Sequence, residues 1–285
     1  MSERNSCPAC FTNDVLHCFV KDGYDIWRCK ECRTMFVHDV PDAEVIAKIY
    51  ASDNYYEIST DLVDRIKEES RRRLKILINY KSTGSFFDIG CARGVLLDEA
   101  RLFGFDTYGI ELSSENVKIC VDNNHHVIHG YLEDYLPRTP ADGFDIITCL
   151  DVIEHVEEPI DFLLTATSML KEDGIMVVTT PNYSGVVARI LKKRDPYMTP
   201  PEHLNYFTFQ GMYSLFKKSN LTVKKELTFG YLVDSELDHV VSKYAPALLS
   251  PFEPIIKPLI PLGLRVLNTM NAGVEQEFYL SRKDK

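Results

Sequence analysis

The chain has 285 residues, 45% hydrophobic and 26% charged, a balance that fits one large domain, or one domain plus a small module, around a sizeable core. It excludes wholesale disorder, collagen-like repeats and low-complexity architectures. Lys and Arg total 32 against 42 Asp and Glu, for a formal net charge of −10, which counts against a nucleic-acid partner because phosphate backbones are held by positive charge.

Residues 1–40 are the first zone. They hold five of the eight cysteines, the one tryptophan and short β-prone pieces such as Tyr24 to Arg28. Cys7-Pro-Ala-Cys10 and Cys29-Lys-Glu-Cys32 are two Cys-x-x-Cys knuckles with 18 residues between them. Each knuckle presents two sulfurs, and two knuckles complete a tetrahedral shell around one Zn²⁺. A closed shell leaves no open position, so the metal is expected to be structural, and so short a module lacks the core to fold without it. The pattern is similar to a zinc ribbon. Redox chemistry is the alternative, but neither knuckle opens a helix after a strand. Cys18, Cys91, Cys120 and Cys149 stand alone and read as packing residues. The first residues lack the basic and apolar regions of a signal peptide. No apolar run reaches the roughly 18 residues of a membrane span. The expected location is the cytoplasm, where cysteines stay reduced.

Residues 41–80 read as a helical linker. Its longest helix is expected from Asp61 to Tyr80, with Leu62, Ile66, Leu74, Leu77 and Ile78 near helical spacing. Arg71-Arg72-Arg73 inside it reads as a solvated face. Residues 81–229 and 275–285 then alternate short apolar strands with helices. Strands are predicted at 85–89, 107–110, 127–129, 144–149 and 175–180, with helices near 93–103, 114–124, 159–170 and 208–219. This alternation predicts βαβ units and a parallel sheet covered on both faces. Two later strands, 222–229 and 275–282, alternate in polarity as an antiparallel edge pair does. Residues 230–274 join them through an apolar stretch broken by Pro246, Pro251, Pro254, Pro258 and Pro261. A connection this long reads as a lid over an acceptor, an interface with a second subunit in a homodimer, or a membrane-surface contact through 240–268.

The most informative stretch is Phe86-Phe87-Asp88-Ile89-Gly90-Cys91-Ala92-Arg93-Gly94, a buried strand running into a glycine turn and a helix. Glycines let the backbone approach a ligand, and the helix N-terminus favours negative charge. Glu111, 23 positions after Asp88, ends the next strand, where a carboxylate can accept both hydroxyls of a ribose. These residues, with Phe144-Asp145 and Asp151-Val-Ile-Glu154-His155-Val156, and with Leu170-Lys-Glu-Asp-Gly174 leading to Pro181-Asn182, resemble the class I S-adenosylmethionine-dependent methyltransferases of the ubiquinone and sugar types. The resemblance covers about residues 75–230 and 275–282. It implies an α/β, Rossmann-like, seven-stranded methyltransferase sheet with helices on both faces, preceded here by the ribbon.

By that resemblance S-adenosylmethionine (SAM) is the cofactor. Asp88, Gly90 and Gly94 surround its methionine part, Glu111 holds the ribose, Leu112 packs on the adenine, Leu132 and Glu133 border the adenine edge, and Leu150 offers backbone to the ammonium group. Ala92 departs from the family, which commonly has glycine there, and Tyr131 after Gly130 departs from its frequent Gly-Asp pair. NAD is the competing ligand, but the Gly-x-Gly-x-x-Gly spacing is absent.

A hydroxyl acceptor must lose a proton during transfer, and a general base assists. His155, after the fourth strand, and His203, in Pro200-Pro201-Glu202-His203-Leu204-Asn205, are the candidates. Tyr183, Tyr197 and Tyr206 either line that pocket or pack in the core. Leu150-Asp151-Val152 lacks the Asn-Pro-Pro-Tyr pattern of transfer to a base amino group, so an oxygen or carbon acceptor is expected. The sequence therefore reads as a methyltransferase for a small molecule or saccharide. An RNA methyltransferase with a zinc ribbon and a non-catalytic zinc-bearing interaction protein are the alternatives.

Overall fold

The computed structural model describes residues 2–42, 45, 60–229 and 273–283. The insertion expected over 230–274 lies outside the described residues except for Gly273 and Val274, and so does most of the linker after residue 42.

The N-terminal part contains β1 (Ser2–Glu3), β2 (Val15–Lys21), β3 (Tyr24–Cys29), β4 (Met35–Val37) and β5 (Asp39–Val40). Helix α1 (Thr60–Leu77) leads into β6 (Gly84–Ile89), α2 (Val95–Leu102), β7 (Phe105–Glu111), α3 (Ser114–Asp122), β8 (His126–His129), α4 (Leu132–Tyr135) and β9 (Phe144–Leu150). Then follow α5 (Pro159–Met169), β10 (Leu170–Pro181), α6 (Val186–Leu191), β11 (Asn205–Tyr206), α7 (Phe209–Lys218), β12 (Leu221–Phe229) and β13 (Glu275–Arg282).

Seven strands form one sheet in the order β12-β13-β10-β9-β6-β7-β8. The five strands from β8 to β10 run parallel, and β13 lies antiparallel between β10 and β12. Strand β9 is buried along all but its last residue, and β6 is buried from Phe86 to Ile89. Strands covered by helices on both faces carry such unbroken apolar runs. The expected sheet is therefore present. Phe229 and Pro181 both pair with Glu275, so β12 ends and β13 begins where the parallel strands finish. That is the ligand end of an open sheet.

The N-terminal module differs from an autonomous ribbon. Its sheet has the order β11-β4-β3-β2, and β11 belongs to the later part of the chain. Asn205 pairs with Phe36 and Tyr206 with Met35. Arg4 Nη1 donates to Asn205 Oδ1 at 2.9 Å, and the Thr208 hydroxyl donates to the Cys32 carbonyl at 2.5 Å. Cys7, Cys29 and Cys32 share a buried cluster with Phe207 and Met212. A side chain at Gly211 would meet the Thr34 hydroxyl at 2.1 Å. Part of the core that so short a module lacks thus comes from the later part of the chain, and Tyr183 and Tyr206 are buried in a cluster with Ile26 and Val37 of the module.

Arg72 and Arg73 leave the solvated face that the sequence predicts for the arginine run, whereas Arg71 stays exposed. Arg71 clamps Glu99 through Nε at 2.7 Å and Nη2 at 2.8 Å. Arg72 clamps Glu277 at 3.0 and 2.6 Å, and Arg73 Nε donates to the same carboxylate at 2.7 Å. Arg71 ties α1 to α2 and the other two dock it on the sheet, and their partner on β13 lies too far along the chain for local charge patterning to reveal.

Candidate active site

The turn after β6 carries three residues with positive φ: Gly90 at 72°, Ala92 at 45° and Gly94 at 78°. A Cβ on Gly90 would sit 2.8 Å from Val152 Cγ2, and one on Gly94 would sit 2.9 Å from Cys120 Sγ. Both glycines are required by space as well as by angle. Ala92 meets the same angular demand with a methyl group, and an L-residue there costs about 1–2 kcal/mol. Ala92→Gly should therefore raise stability by about 1 kcal/mol with SAM-product affinity kept. Equal melting temperatures for the two proteins would show that this strain is absent.

Glu111, at the end of β7, is 5% exposed. Its Oε2 accepts from the Ala92 N–H at 2.9 Å and its Oε1 from the Ser113 N–H at 2.8 Å. It thereby joins the first turn to the second, a structural task that the sequence does not disclose. Each oxygen keeps a further lone pair for another donor. Asp88 lies buried at the end of β6, and the Thr148 hydroxyl of β9 donates to its Oδ1 at 2.6 Å. Burial pushes the Asp88 carboxyl up to about 7; Thr148 pulls against this, and the charge of Glu111 adds to it. This corner accumulates negative charge that a cationic ligand relieves.

Of the other expected cofactor residues, Leu112 is 37% exposed after β7, and its carbonyl accepts from His129 Nε2 at 2.8 Å. Leu132 is buried at the start of α4, Glu133 is exposed beside it, and Leu150 is half-buried at the end of β9. All follow the carboxyl ends of parallel strands, as the first turn does. Asp151, next to Leu150, has φ 54°. Its N–H donates to the Thr179 hydroxyl at 3.0 Å, and that hydroxyl donates to Asp151 Oδ1 at 2.8 Å. SAM fits the chemistry of this set of residues: carboxylates for a positive ligand and for ribose hydroxyls, and a glycine turn at the ligand end of the sheet.

His155 and His203 meet, with ring centroids 4.6 Å apart and planes at 82°. His155 Nδ1 lies 2.9 Å from the Glu202 carbonyl, and His203 Nδ1 lies 2.7 Å from the Tyr197 carbonyl. A carbonyl only accepts, so both Nδ1 atoms carry protons, which makes Nε2 the basic nitrogen of His203; the His155 ring also bonds the Asp151 backbone. Burial, reinforced by His155, pushes His203 down to about 3, and burial lowers His155 too. Both start neutral at pH 7. Near them lies Glu154, which the sequence reading did not select. It is 1% exposed, and neither carboxylate oxygen has a hydrogen-bond partner among the described residues. Burial, with the Asp151 charge, holds its carboxyl well above the ordinary range. Ligand-type atoms of Glu154, His155 and His203 lie within 4.8 Å of one another, so this corner can hold a proton or a cation. An acid inside the otherwise apolar run Val152-Ile153-Glu154 was the available signal.

The four knuckle sulfurs also lie within 4.8 Å of one another. Cys7 and Cys32 sulfurs are 3.5 Å apart, and those of Cys10 and Cys29 are 3.4 Å apart. Sulfurs in a tetrahedral zinc shell stand about 3.8 Å apart, given a Zn–S distance of about 2.3 Å. The Ala9 N–H points at Cys7 Sγ at 3.4 Å and the Cys32 N–H at Cys29 Sγ at 3.3 Å, an arrangement that suits thiolates. The hydrogen bond from Cys7 holds Cys32 down to about 5. The donor set fits zinc.

Comparison with known proteins agrees with this geometry. A family described as "Methyltransferase domain" matches residues 51–226. The ubiquinone biosynthesis O-methyltransferase of Glaesserella parasuis is 32% identical over 118 residues, 37% of this chain and 50% of that protein. That of Bradyrhizobium diazoefficiens is 34% identical over 168 residues, 58% of this chain and 62% of that protein. The chain thus spans about half the length of the curated relatives it matches first. A SAM-dependent methyltransferase from Archaeoglobus fulgidus shares the fold with TM-score 0.55 at 18% identity, covering 85% of this chain and 100% of that one. The magnesium protoporphyrin IX methyltransferase of Synechocystis PCC 6803, solved with bound SAH, gives TM-score 0.55 at 13% identity, with 85% and 100% covered. With more than half of its residues inside the family match, and with that family's glycine turn and second-strand acid in place, the chain belongs to the methyltransferase-domain family.

Proposed function

We propose that the chain is a SAM-dependent methyltransferase acting on a hydroxyl of a small molecule, and that the acceptor is a sugar or glycan intermediate. The family match and the ubiquinone O-methyltransferase relatives support the first statement. The second extends it from the resemblance to sugar-type enzymes. SAM, when bound, supplies a methyl group on a positively charged sulfonium. The protein's work is to position the acceptor, exclude water and manage one proton. Glu111 holds the ribose hydroxyls, and Asp88, Gly90 and Gly94 form the wall around the methionine part. Leu112, Leu132 and Glu133 border the adenine, and Leu150 presents backbone. His203, fixed by the Tyr197 carbonyl, and His155, fixed by the Glu202 carbonyl, receive the acceptor's proton or position its hydroxyl. Glu154 faces the imidazolium so formed. Among the described residues no helix is long and apolar enough to cross a membrane.

The observation that carries this reading is the Glu111 carboxylate, buried and aimed between the two ligand-end turns. Glu111→Ala removes charge-assisted bonds of about 1.5–3 kcal/mol each before compensation, so affinity for SAH should fall about tenfold or more. Calorimetry giving an unchanged dissociation constant rules the role out. Circular dichroism on the same sample separates this loss from unfolding of the turn that Glu111 also ties.

We further propose one structural Zn²⁺ per chain on Cys7, Cys10, Cys29 and Cys32. Metal analysis of protein expressed with zinc present should find about one equivalent, and chelation should lower the melting temperature, because a structural site's binding energy is folding energy. Zinc-free, fully folded protein after such expression rejects the site.

A further inference from the structure

We propose a second ligand site, apart from the cofactor turns, in the cleft between the N-terminal sheet and the segment that follows β10; its ligand is a small molecule carrying phosphate. The cleft measures about 850 Å³, within the usual size of small-molecule pockets, about 300–1,000 Å³. Its charge is opposite to that of the whole chain. Arg28 and Arg33 of the N-terminal module and Arg189 and Lys192 around α6 line it, with no Asp or Glu in the lining, in a chain of formal net charge −10.

These four cations differ from the clamped arginines of α1. Arg71, Arg72 and Arg73 each clamp a carboxylate. Among the described residues no carboxylate forms an ion pair with Arg28, Arg33, Arg189 or Lys192. His17, also in the lining, is engaged by Asp25 at 2.7 Å.

Two polar atoms of the cleft residues are orphaned. Arg28 shares a face of β3 with Ile26, which is fully buried against the methyltransferase half. Its Nε is buried with no hydrogen-bond partner among the described residues. The hydroxyl of Tyr183, a residue 8% exposed that lines the same cleft, is also buried without a partner. A buried donor left unpaired is costly, and a charged one more so. An anion entering the cleft would give the Arg28 guanidinium the partner it lacks. Arginine's planar fork pairs bidentately with phosphate, and several cations without an acid suit more than one negative charge. A diphosphate, or a phosphate on an organic molecule, fits that pattern.

The test is titration of the full chain with inorganic pyrophosphate, with SAH binding measured in parallel as the control for folding and for the cofactor reading. The expected result is saturable binding that weakens with salt and falls about tenfold or more in Arg28→Met and in Arg189→Gln/Lys192→Gln, while Arg28→Lys retains more of it. SAH affinity should stay unchanged in all. No saturable pyrophosphate binding overturns the site. So does equal affinity in wild type, Arg28→Met and the double variant, which is also the outcome if the arginines only balance the charge of the cysteine cluster. Should Arg28→Met fail to bind SAH, the exposed double variant decides alone. Loss of SAH binding by the wild type would defeat the methyltransferase reading and leave the pyrophosphate result standing. Comparing glucose 1-phosphate with inorganic phosphate identifies the source: tighter binding of the sugar phosphate assigns an organic phosphate, and equal binding assigns free phosphate.

Discussion

His203→Ala should leave SAH affinity unchanged and cut turnover by about 10²–10⁴-fold, the range that a positioned proton acceptor contributes. The expectation rests on placement. His203 precedes β11 and α7, His155 follows β9, and their rings meet at 4.6 Å near the Glu154 carboxylate. Neither histidine belongs to the turns assigned to the cofactor, so a loss of SAH affinity would point to collapse of the corner and not to lost proton transfer. Because the two rings touch, His155→Ala and the double variant should be strongly non-additive with His203→Ala. Unaltered turnover of His203→Ala with its true acceptor defeats the assignment and transfers it to His155. Protonation sets a further mark. Burial holds His203 down to about 3, below the ordinary value of about 6.5. Its neutral form stabilises the fold above about pH 6.5, and that stability is lost as pH falls toward the folded value, since the unfolded chain takes up the proton first.

The central sheet was legible because its strands are apolar runs closed by turn residues. Phe86 to Ile89 and Phe144 to Cys149 needed no partner to be read as buried strands. Strand β10 extends back to Leu170, past a register shift between Leu170 and Ile175, where polar Lys171, Glu172 and Asp173 hid its first half. The glycine turn and Glu111 were legible for the same local reason: a strand, a turn and an acid in register. Contacts between distant segments were not. Asn205-Tyr206 is too short to show a period of two, and its partner β4 lies some 170 positions earlier, so the completion of the N-terminal sheet had no local signal. Ala92 shows the converse. Its sequence departure from glycine was plain, but the positive φ that gives the departure a cost emerges only from the backbone. Glu154 was quoted within its motif, and only the packing reveals that its carboxylate has no partner. The lid or interface expected over 230–274, and the membrane contact expected through 240–268, lie outside the described residues except for Gly273 and Val274.

Glu277→Ala should destabilise the chain by about 3–5 kcal/mol, the cost of breaking a buried ion pair from one side. Glu277 is fully buried on β13. Its Oε1 accepts from Arg72 Nη1 at 3.0 Å and from the Tyr279 hydroxyl at 2.7 Å. Its Oε2 accepts from Arg72 Nη2 at 2.6 Å and from Arg73 Nε at 2.7 Å. A carboxylate has about four lone-pair directions, and all four are used. Removing it leaves Arg73, itself 7% exposed, with only the Glu69 carboxylate at 4.0 Å as a charge partner. Both guanidinium groups also lie 5.0 Å from the centre of the Phe229 ring, a contact weaker than the lost carboxylate. Glu277→Gln keeps the shape and an acceptor for Tyr279 while losing the charge, so it should cost less than alanine and more than an exposed pair, which is worth about 0–1 kcal/mol. The pH dependence follows from the sign of the shift. Burial works against ionisation of Glu277, but Arg73 and Arg72 outweigh it and hold the carboxyl below its ordinary value. Its stabilisation is therefore complete above the unfolded value of about 4.3 and is lost as pH falls through the lower folded value. Urea unfolding of wild type and Glu277→Gln between pH 7 and pH 3 should show the gap between them closing at the acid end. A constant gap across that range, or a loss below about 1 kcal/mol for Glu277→Ala at pH 7, would mean that α1 is held to the sheet by its apolar residues Leu74 and Leu77 and not by the arginine clamp.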